Sequence, residues 1–201
     1  MTYTEALAYI DALKPGGMKP GLARMERGLS LLGRPQDKLR VIHIAGTNGK
    51  GSTARMIQAM ATANGLKTGL FTSPAVTGVR DTIQIDANPI SEAAFAALTG
   101  ELAALAPAMG EAGELSEFEL LTTMAITWFA REKTDLCVIE CGLGGRGDAT
   151  DVFDHPVAAV LTPVSLDHTA VLGHSVEEIA RAKCGILRPG CGVVCSPGQP
   201  A

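Results

Sequence analysis

Val41-Ile42-His43-Ile44-Ala45-Gly46-Thr47-Asn48-Gly49-Lys50-Gly51-Ser52-Thr53 decides the architecture of this chain. An apolar run ends in a glycine-bracketed turn, a lysine and two hydroxyls, and a helical pattern follows from Ala54 to Asn64. Strand, glycine-rich loop and helix in that order make a phosphate cradle. The glycines let backbone N–H groups turn inward without a Cβ clash, and the helix N-terminus adds positive dipole. Lys50 supplies a point charge for terminal phosphates, and a hydroxyl from Ser52 or Thr53 reaches the accompanying Mg²⁺. The expected nucleotide contacts are therefore Gly46, Thr47, Asn48, Gly49, Lys50, Gly51, Ser52 and Thr53. Against the general pattern G-x-x-x-x-G-K-[ST] the cradle is a variant: Ile44 stands where the first glycine belongs, and Gly51 separates the lysine from Ser52.

Working outward, the apolar runs alternate with helical patterns. The periodicity predicts helices over 3–13 and 22–32, separated by Lys14-Pro15-Gly16-Gly17, then a first buried strand over 39–45. A second strand is expected over 67–71, ending at Thr72-Ser73-Pro74, and a weakly alternating one at a sheet edge over 81–86. Helices follow over 91–105, with Ser91 as N-cap, and over 116–132, with a loop at 110–114 between them. Further strands are expected over 136–140, 158–161 and 192–195, and a last helix over 175–184. Such alternation predicts an α/β fold: a mostly parallel sheet with helices on both faces, in three α/β/α layers. The expected division is 1–38 as N-terminal helices packed on the ATP-binding domain, 39–195 as that domain, and 196–201 as a linker or truncated end.

Composition excludes several classes. The 201 residues are 46% hydrophobic and 19% charged, enough for a real core. A net charge of −4 without a basic block argues against nucleic acid, and 4% aromatics leave little for base stacking. No apolar run is long enough for a membrane span, and Met1-Thr2-Tyr3-Thr4-Glu5 lacks a secretory pattern, so a cytoplasmic location is expected. Five cysteines show no disulfide framework. Cys137 and Cys141, like Cys191 and Cys195, are four apart, about 13 Å along a strand and too far to share one ion.

In parallel sheets, ligands sit beyond the carboxyl ends of the strands. Ser73, Glu140, Asp167 and His168 each follow an apolar run and so fall there. A carboxylate at Glu140, beside a phosphate cradle, holds Mg²⁺ directly or through water. Cys141-Gly142-Leu143-Gly144-Gly145-Arg146-Gly147 comes next, glycine-rich enough for close backbone approach to a ligand, with Arg146 suited to an anionic group.

Gly46-Thr47-Asn48-Gly49-Lys50-Gly51-Ser52, Thr72-Ser73-Pro74, Glu140-Cys141-Gly142-Leu143-Gly144-Gly145-Arg146, Asp148-Ala149-Thr150, Leu166-Asp167-His168-Thr169 and Lys183-Cys184-Gly185-Ile186 occur in this order. Together, from about Gly21 to Pro197, the chain resembles the N-terminal ATPase domain of the folylpolyglutamate synthase/dihydrofolate synthase family, within the Mur ligase superfamily. Gly51 is similar to the folate enzymes; peptidoglycan Mur ligases usually carry threonine after the lysine.

The resemblance implies an ATP-dependent ligase. ATP phosphorylates a folate or dihydropteroate carboxylate, and the amine of L-glutamate attacks the acyl phosphate to form an amide. It implies Lys50, His168 and Lys183 as catalytic groups and Ser52, Ser73, Glu140, His168 and Lys183 around two Mg²⁺ ions, with Asp167 orienting the histidine or the metal's outer shell. Lys183 is similar to a lysine that is carbamylated by CO₂, although on sequence alone it is a solvated helix lysine. Thr72, Ser73, Pro74, Phe118, Glu119, Gly145, Arg146 and Asp148 are the implied substrate contacts. Ser116 and Glu119 also form an S-x-x-E capping box. The loop from Ala75 to Ile83 departs from the family, with Ala75 for histidine, Gly78 for arginine and Asp81-Thr82-Ile83 for Glu-Arg-Ile; Gly147 and Asp151 depart as well. The resemblance also implies a monomer, and a C-terminal domain beyond these residues. From these residues alone it implies weak ATP binding and little ligation. The alternatives are a Mur-type ligase for another acid and a non-catalytic nucleotide-binding fragment.

Overall fold

A computed structural model describes residues 1–14 and 21–197. The expected Pro-Gly separator at 15–17 and the tail from residue 198 lie outside the described residues.

The strands are β1 (Val41–Ala45), β2 (Thr68–Phe71), β3 (Ile83–Ile85), β4 (Asn88–Pro89), β5 (Leu136–Glu140), β6 (Ala158–Leu161) and β7 (Gly192–Cys195). They form one sheet in the order β4-β3-β2-β5-β1-β6-β7. From β2 to β7 every pairing is parallel, whereas β3 and β4 add antiparallel. The segment expected at an edge is thus one place in, between β2 and β4. Asp86 and Ala87 both take positive φ, the conformation of a tight two-residue hairpin turn, and fold Asn88-Pro89 back outside β3. Pro89, which has no N–H to donate, lies on the edge strand where that costs no ladder bond.

The helices are α1 (Tyr3–Leu13), α2 (Ala23–Leu31), α3 (Lys50–Ala63), α4 (Glu92–Ala103), α5 (Ala106–Met109), α6 (Glu117–Arg131), α7 (Thr169–Leu172) and α8 (Val176–Lys183). Their starts follow local chemistry. Ser91 caps α4 through the Ala94 N–H, and capping boxes join Ser116 to Glu119 and Ser175 to Glu178. The short α5 and α7 were not legible as periodic runs, since four residues cover barely one turn.

Strand alternation divides the core. Ile44, Leu70 and Val138 face α3 and pack with Ala54. Val41, Phe71, Cys137 and Ile139 face the other way, into a larger cluster with Ala6 and Ile10 of α1, Met25 and Leu29 of α2, Phe95 of α4, and Met124, Ile126 and Phe129 of α6. The N-terminal helices therefore share one continuous apolar core with the sheet. A third cluster, of Ala45, Cys141, Ala159, Leu161 and Ile186, seats the turn after α8. All five cysteines are free thiols. Among the described residues, no single helix is long and apolar enough to cross a membrane.

Candidate nucleotide site

The carboxyl ends of β1, β2, β5 and β6 gather the polar residues. From β1 the chain enters the cradle, and α3 begins at Lys50. The loop is braced from β6: the N–H groups of Thr47 and Asn48 donate to the Pro163 carbonyl at 2.9 and 3.3 Å, and Thr47 Oγ1 bonds both the carbonyl and the N–H of Ser165 at 3.1 Å. Lys50 Nζ donates to the Thr47 carbonyl at 3.3 Å, folded back over its own loop. Asn48, Gly49 and Ser52 are exposed along the mouth of the cradle, with Thr53 half-buried in the first turn.

Two buried charged groups lie directly against the cradle loop. Glu140 is 3% exposed, on the α3 side. A Cβ placed on Gly51 would come 3.2 Å from Glu140 Oε2, so the glycine is what lets the cradle lie directly on the carboxylate. Its one described hydrogen bond is long, 3.4 Å from the Ser73 N–H. Burial raises its pKa, opposed by the Lys50 charge, the Ser73 N–H and Arg55. Lys183, at the end of α8, is 2% exposed, and its Nζ donates to the Gly46 carbonyl at 2.7 Å. Burial lowers its pKa, and the neighbouring Lys50 charge lowers it further, against Asp167 and Cys141. The alternative of a solvated helix lysine, open on sequence alone, is thereby ruled out.

The glycine-rich segment after β5 clamps α8. The Arg146 N–H donates to the Ala182 carbonyl at 2.9 Å, and a Cβ on Gly145 would sit 2.6 Å from the Lys183 carbonyl oxygen. Gly145 therefore contacts the lysine's backbone. Asp148 is buried and saturated by its own loop: it accepts from the Leu143 N–H at 2.8 Å, the Thr150 N–H at 3.0 Å and Thr150 Oγ1 at 2.5 Å. Thr150 Oγ1 in turn lies 2.8 Å from His43 Nε2, with Cys141 Sγ 3.1 Å from the same nitrogen. Burial, and then the charge of Arg188, depress the His43 pKa to about 3. Asp151 accepts from the Gly147 N–H and pairs with Arg188, fastening the far end of the loop.

An open cleft of about 1250 Å³ runs beside the cradle, lined by Lys50, Ser73, Pro74, Phe118, Glu119, Arg146, Asp148 and His168 among others. Most of the expected substrate contacts thus meet along one surface. Glu140, Lys183 and Thr72 lie buried next to it. Phe118 packs on Gly142 and tilts against Phe71, ring centroids 5.7 Å apart. Glu119 is held by the capping box and by Arg24, whose Nε lies 3.1 and 3.0 Å from its two oxygens. His168 takes positive φ, and its Nε2 is 3.5 Å from Asp167 Oδ2, with the side chain 54% exposed. Sequence reasoning missed Arg24 and the Pro163-Ser165 brace; the two prolines that follow strand ends, Pro74 and Pro163, were the available signal for the latter. It also missed Leu143, Val171, Leu172 and Cys184, which complete the cleft wall.

Fold and cradle together define an α/β P-loop domain with its phosphate-binding turn on a central strand. Residues 44–190 match the Mur ligase middle domain, and the chain belongs to that family. It is 39% identical over 98% of its length to the dihydrofolate synthase/folylpolyglutamate synthase of Bacillus subtilis, covering 46% of that protein. To the folylpolyglutamate synthase of Lacticaseibacillus casei it is 40% identical over 96% of its length, again covering 46%. Among solved structures, a folylpolyglutamate synthase complex with AMPPCP superposes with TM-score 0.90 at 39% identity, over 97% of this chain and 48% of that one. Escherichia coli FolC in complex with ADP gives 0.86 at 32%, over 99% and 46%. The chain spans about half the length of the curated relatives it matches.

Proposed function

We propose that these residues form the ATP-binding half of a ligase that joins L-glutamate to a folate or dihydropteroate carboxylate through an acyl phosphate. The observation that carries this reading is the buried Glu140 carboxylate lying against Gly51 of the cradle. A nearly unpaired buried carboxylate costs folding free energy, and its natural complement is a cation. The match to dihydrofolate and folylpolyglutamate synthases supports the reaction class.

In this reading the cradle N–H groups and the α3 N-terminus bind the nucleotide phosphates. Lys50 exchanges its 3.3 Å bond to the Thr47 carbonyl for a phosphate oxygen, a charge-assisted and stronger bond. The acceptor lies along Phe118 and Leu143, its carboxylate toward Ser73 and Arg146. The carboxylate oxygen attacks the γ-phosphorus, the β–γ bridge breaks and ADP leaves. The glutamate amine then attacks the acyl carbon, loses a proton, and phosphate departs. Charge builds on phosphoryl oxygens in the first step and on the acyl oxygen in the second, so positioned cations are what the site must supply.

Glu140 fits Mg²⁺ as a hard oxygen donor, with Ser52, Ser73 and His168 at the rim. Among the described residues no three His, Cys, Asp or Glu side chains gather into a metal cluster of their own, so a bound ion would draw its remaining ligands from phosphate oxygens. When bound, the ion neutralises developing charge on the transferred phosphoryl group. Burial and a lowered pKa support reading Lys183 as the carbamylated lysine: its neutral amine would add to CO₂ with loss of a proton, and the carbamate would supply oxygen donors for a second ion.

Calorimetry with Mg-ADP and ADP release from Mg-ATP and glutamate test the reading. Lys50→Ala is expected to weaken ADP binding about 100-fold, the loss of one charged phosphate contact. Release that needs dihydropteroate or tetrahydrofolate names the acceptor. Lys50-dependent binding without release for any acceptor assigns these residues the nucleotide half alone, and undiminished binding by Lys50→Ala refutes the cradle.

A further inference from the structure

Thr72 Oγ1 is buried, its residue 2% exposed, and among the described residues it has no hydrogen-bond partner. Buried hydroxyls are rarely left so, because the missing bond costs free energy that a methyl in its place would not. Its neighbours in the sheet explain where it points. Phe71, the last residue of β2, stands opposite Ile139 in the parallel β2–β5 pair, so the same register continued by one residue sets Thr72 opposite Glu140. By strand alternation both side chains take the face of Leu70 and Val138, the α3 face, where Glu140 meets Gly51. Carried one residue past β2, the register therefore sets an unused hydroxyl and an under-bonded carboxylate on the same face, that of the phosphate cradle. The backbone there is not in question: the Thr72 N–H donates to the Thr82 carbonyl at 3.0 Å.

We infer that Thr72 is a positioning residue for a divalent cation held at Glu140, its hydroxyl oxygen accepting from a water of that ion's shell. The inference rests on the reading of Glu140 as a cation ligand and extends it to a residue that touches neither nucleotide nor acceptor. It also reassigns Thr72, which the sequence reading placed among substrate contacts. Small hard cations keep several waters, and those polarised waters need acceptor partners in the protein. Partners in this outer shell typically set affinity by factors of about 10 to 100.

The test uses the 201-residue chain, with Mn²⁺ as probe, titrated by the paramagnetic resonance signal of the free ion in the presence and absence of ADP. Melting in EDTA is measured alongside. Thr72→Val keeps the shape and removes the hydroxyl; Thr72→Ser keeps the hydroxyl. The expected result is Mn²⁺ affinity about tenfold weaker in Thr72→Val and restored in Thr72→Ser, with melting of Thr72→Val in EDTA unchanged or raised. Equal Mn²⁺ affinity in wild type and Thr72→Val overturns the inference and leaves Glu140 as a cation ligand. Lowered melting together with weakened binding, unrescued by Thr72→Ser, also overturns it by making the role structural. No Mn²⁺ binding by wild type, with or without ADP, removes the cation reading of Glu140 and this inference together.

Discussion

Glu119 and Glu140 are both buried carboxylates, one on each side of the sheet, and their surroundings are opposite. On the α6 side Glu119 is gripped by Arg24 and the Ser116 N–H, above a core that includes Phe71, Phe95 and Phe129. On the α3 side the apolar cluster is small, and among the described residues Glu140 accepts one long hydrogen bond. The first region satisfies its charge internally and carries the fold. The second leaves a charge poorly paired where a ligand belongs, and so trades stability for binding.

Mutations can break that contrast. The largest effect is expected from Phe129→Ala, which opens a cavity in the larger cluster: a loss of about 4 kcal/mol in denaturant unfolding, with ADP affinity of the folded protein unchanged. Arg24→Leu should cost about 3 kcal/mol by stranding Glu119, whose side chain is 5% exposed against 13% for its partner.

Proton linkage sharpens the contrast further. His43 is neutral in the fold down to about pH 3, whereas the unfolded chain takes up its proton near 6.5. The unfolded state thus binds more protons between these values, and stability falls as pH drops through that window, by up to about 1.4 kcal/mol per pH unit. His43→Gln should flatten this slope in chemical unfolding at pH 4 to 6. Glu140 has the opposite sign. Its raised pKa means that its ionisation disfavours the fold as pH rises through the folded value. Glu140→Gln should therefore raise the melting temperature at pH 7, show no gain at pH 4, and weaken divalent-cation binding. A fall in melting temperature at pH 7 would mean that Glu140 is a structural group like Glu119.

The strands and the cradle were legible because they are written locally. Val41–Ala45, the glycines and Lys50 are consecutive, and helices such as Glu117–Arg131 announce themselves by capping boxes. The α/β class followed from that alternation alone. The burial of Lys183 was not legible: its contact is the carbonyl of Gly46, a backbone atom far away in sequence. Arg24 is invisible for the same reason, as its partner lies on another helix. Side chain to side chain, the His43–Thr150–Asp148 chain joins a strand to a loop that only the parallel register of β1 and β5 brings together. The hairpin at Asp86-Ala87 lacked the glycine that usually marks such a turn.

The sheet order also sets a timetable for synthesis. β1 is made early, yet both of its neighbours, β5 and β6, are made late. The helices α1 to α4 can begin to associate while the strand that carries the cradle still has two open edges. Those edges are where wrong pairing begins. Long-range parallel pairing is slow because the intervening chain must be ordered first. During that interval Val41–Ala45 is an unpaired apolar strand open to aggregation, and the cradle loop lacks its brace until Pro163 and Ser165 are made.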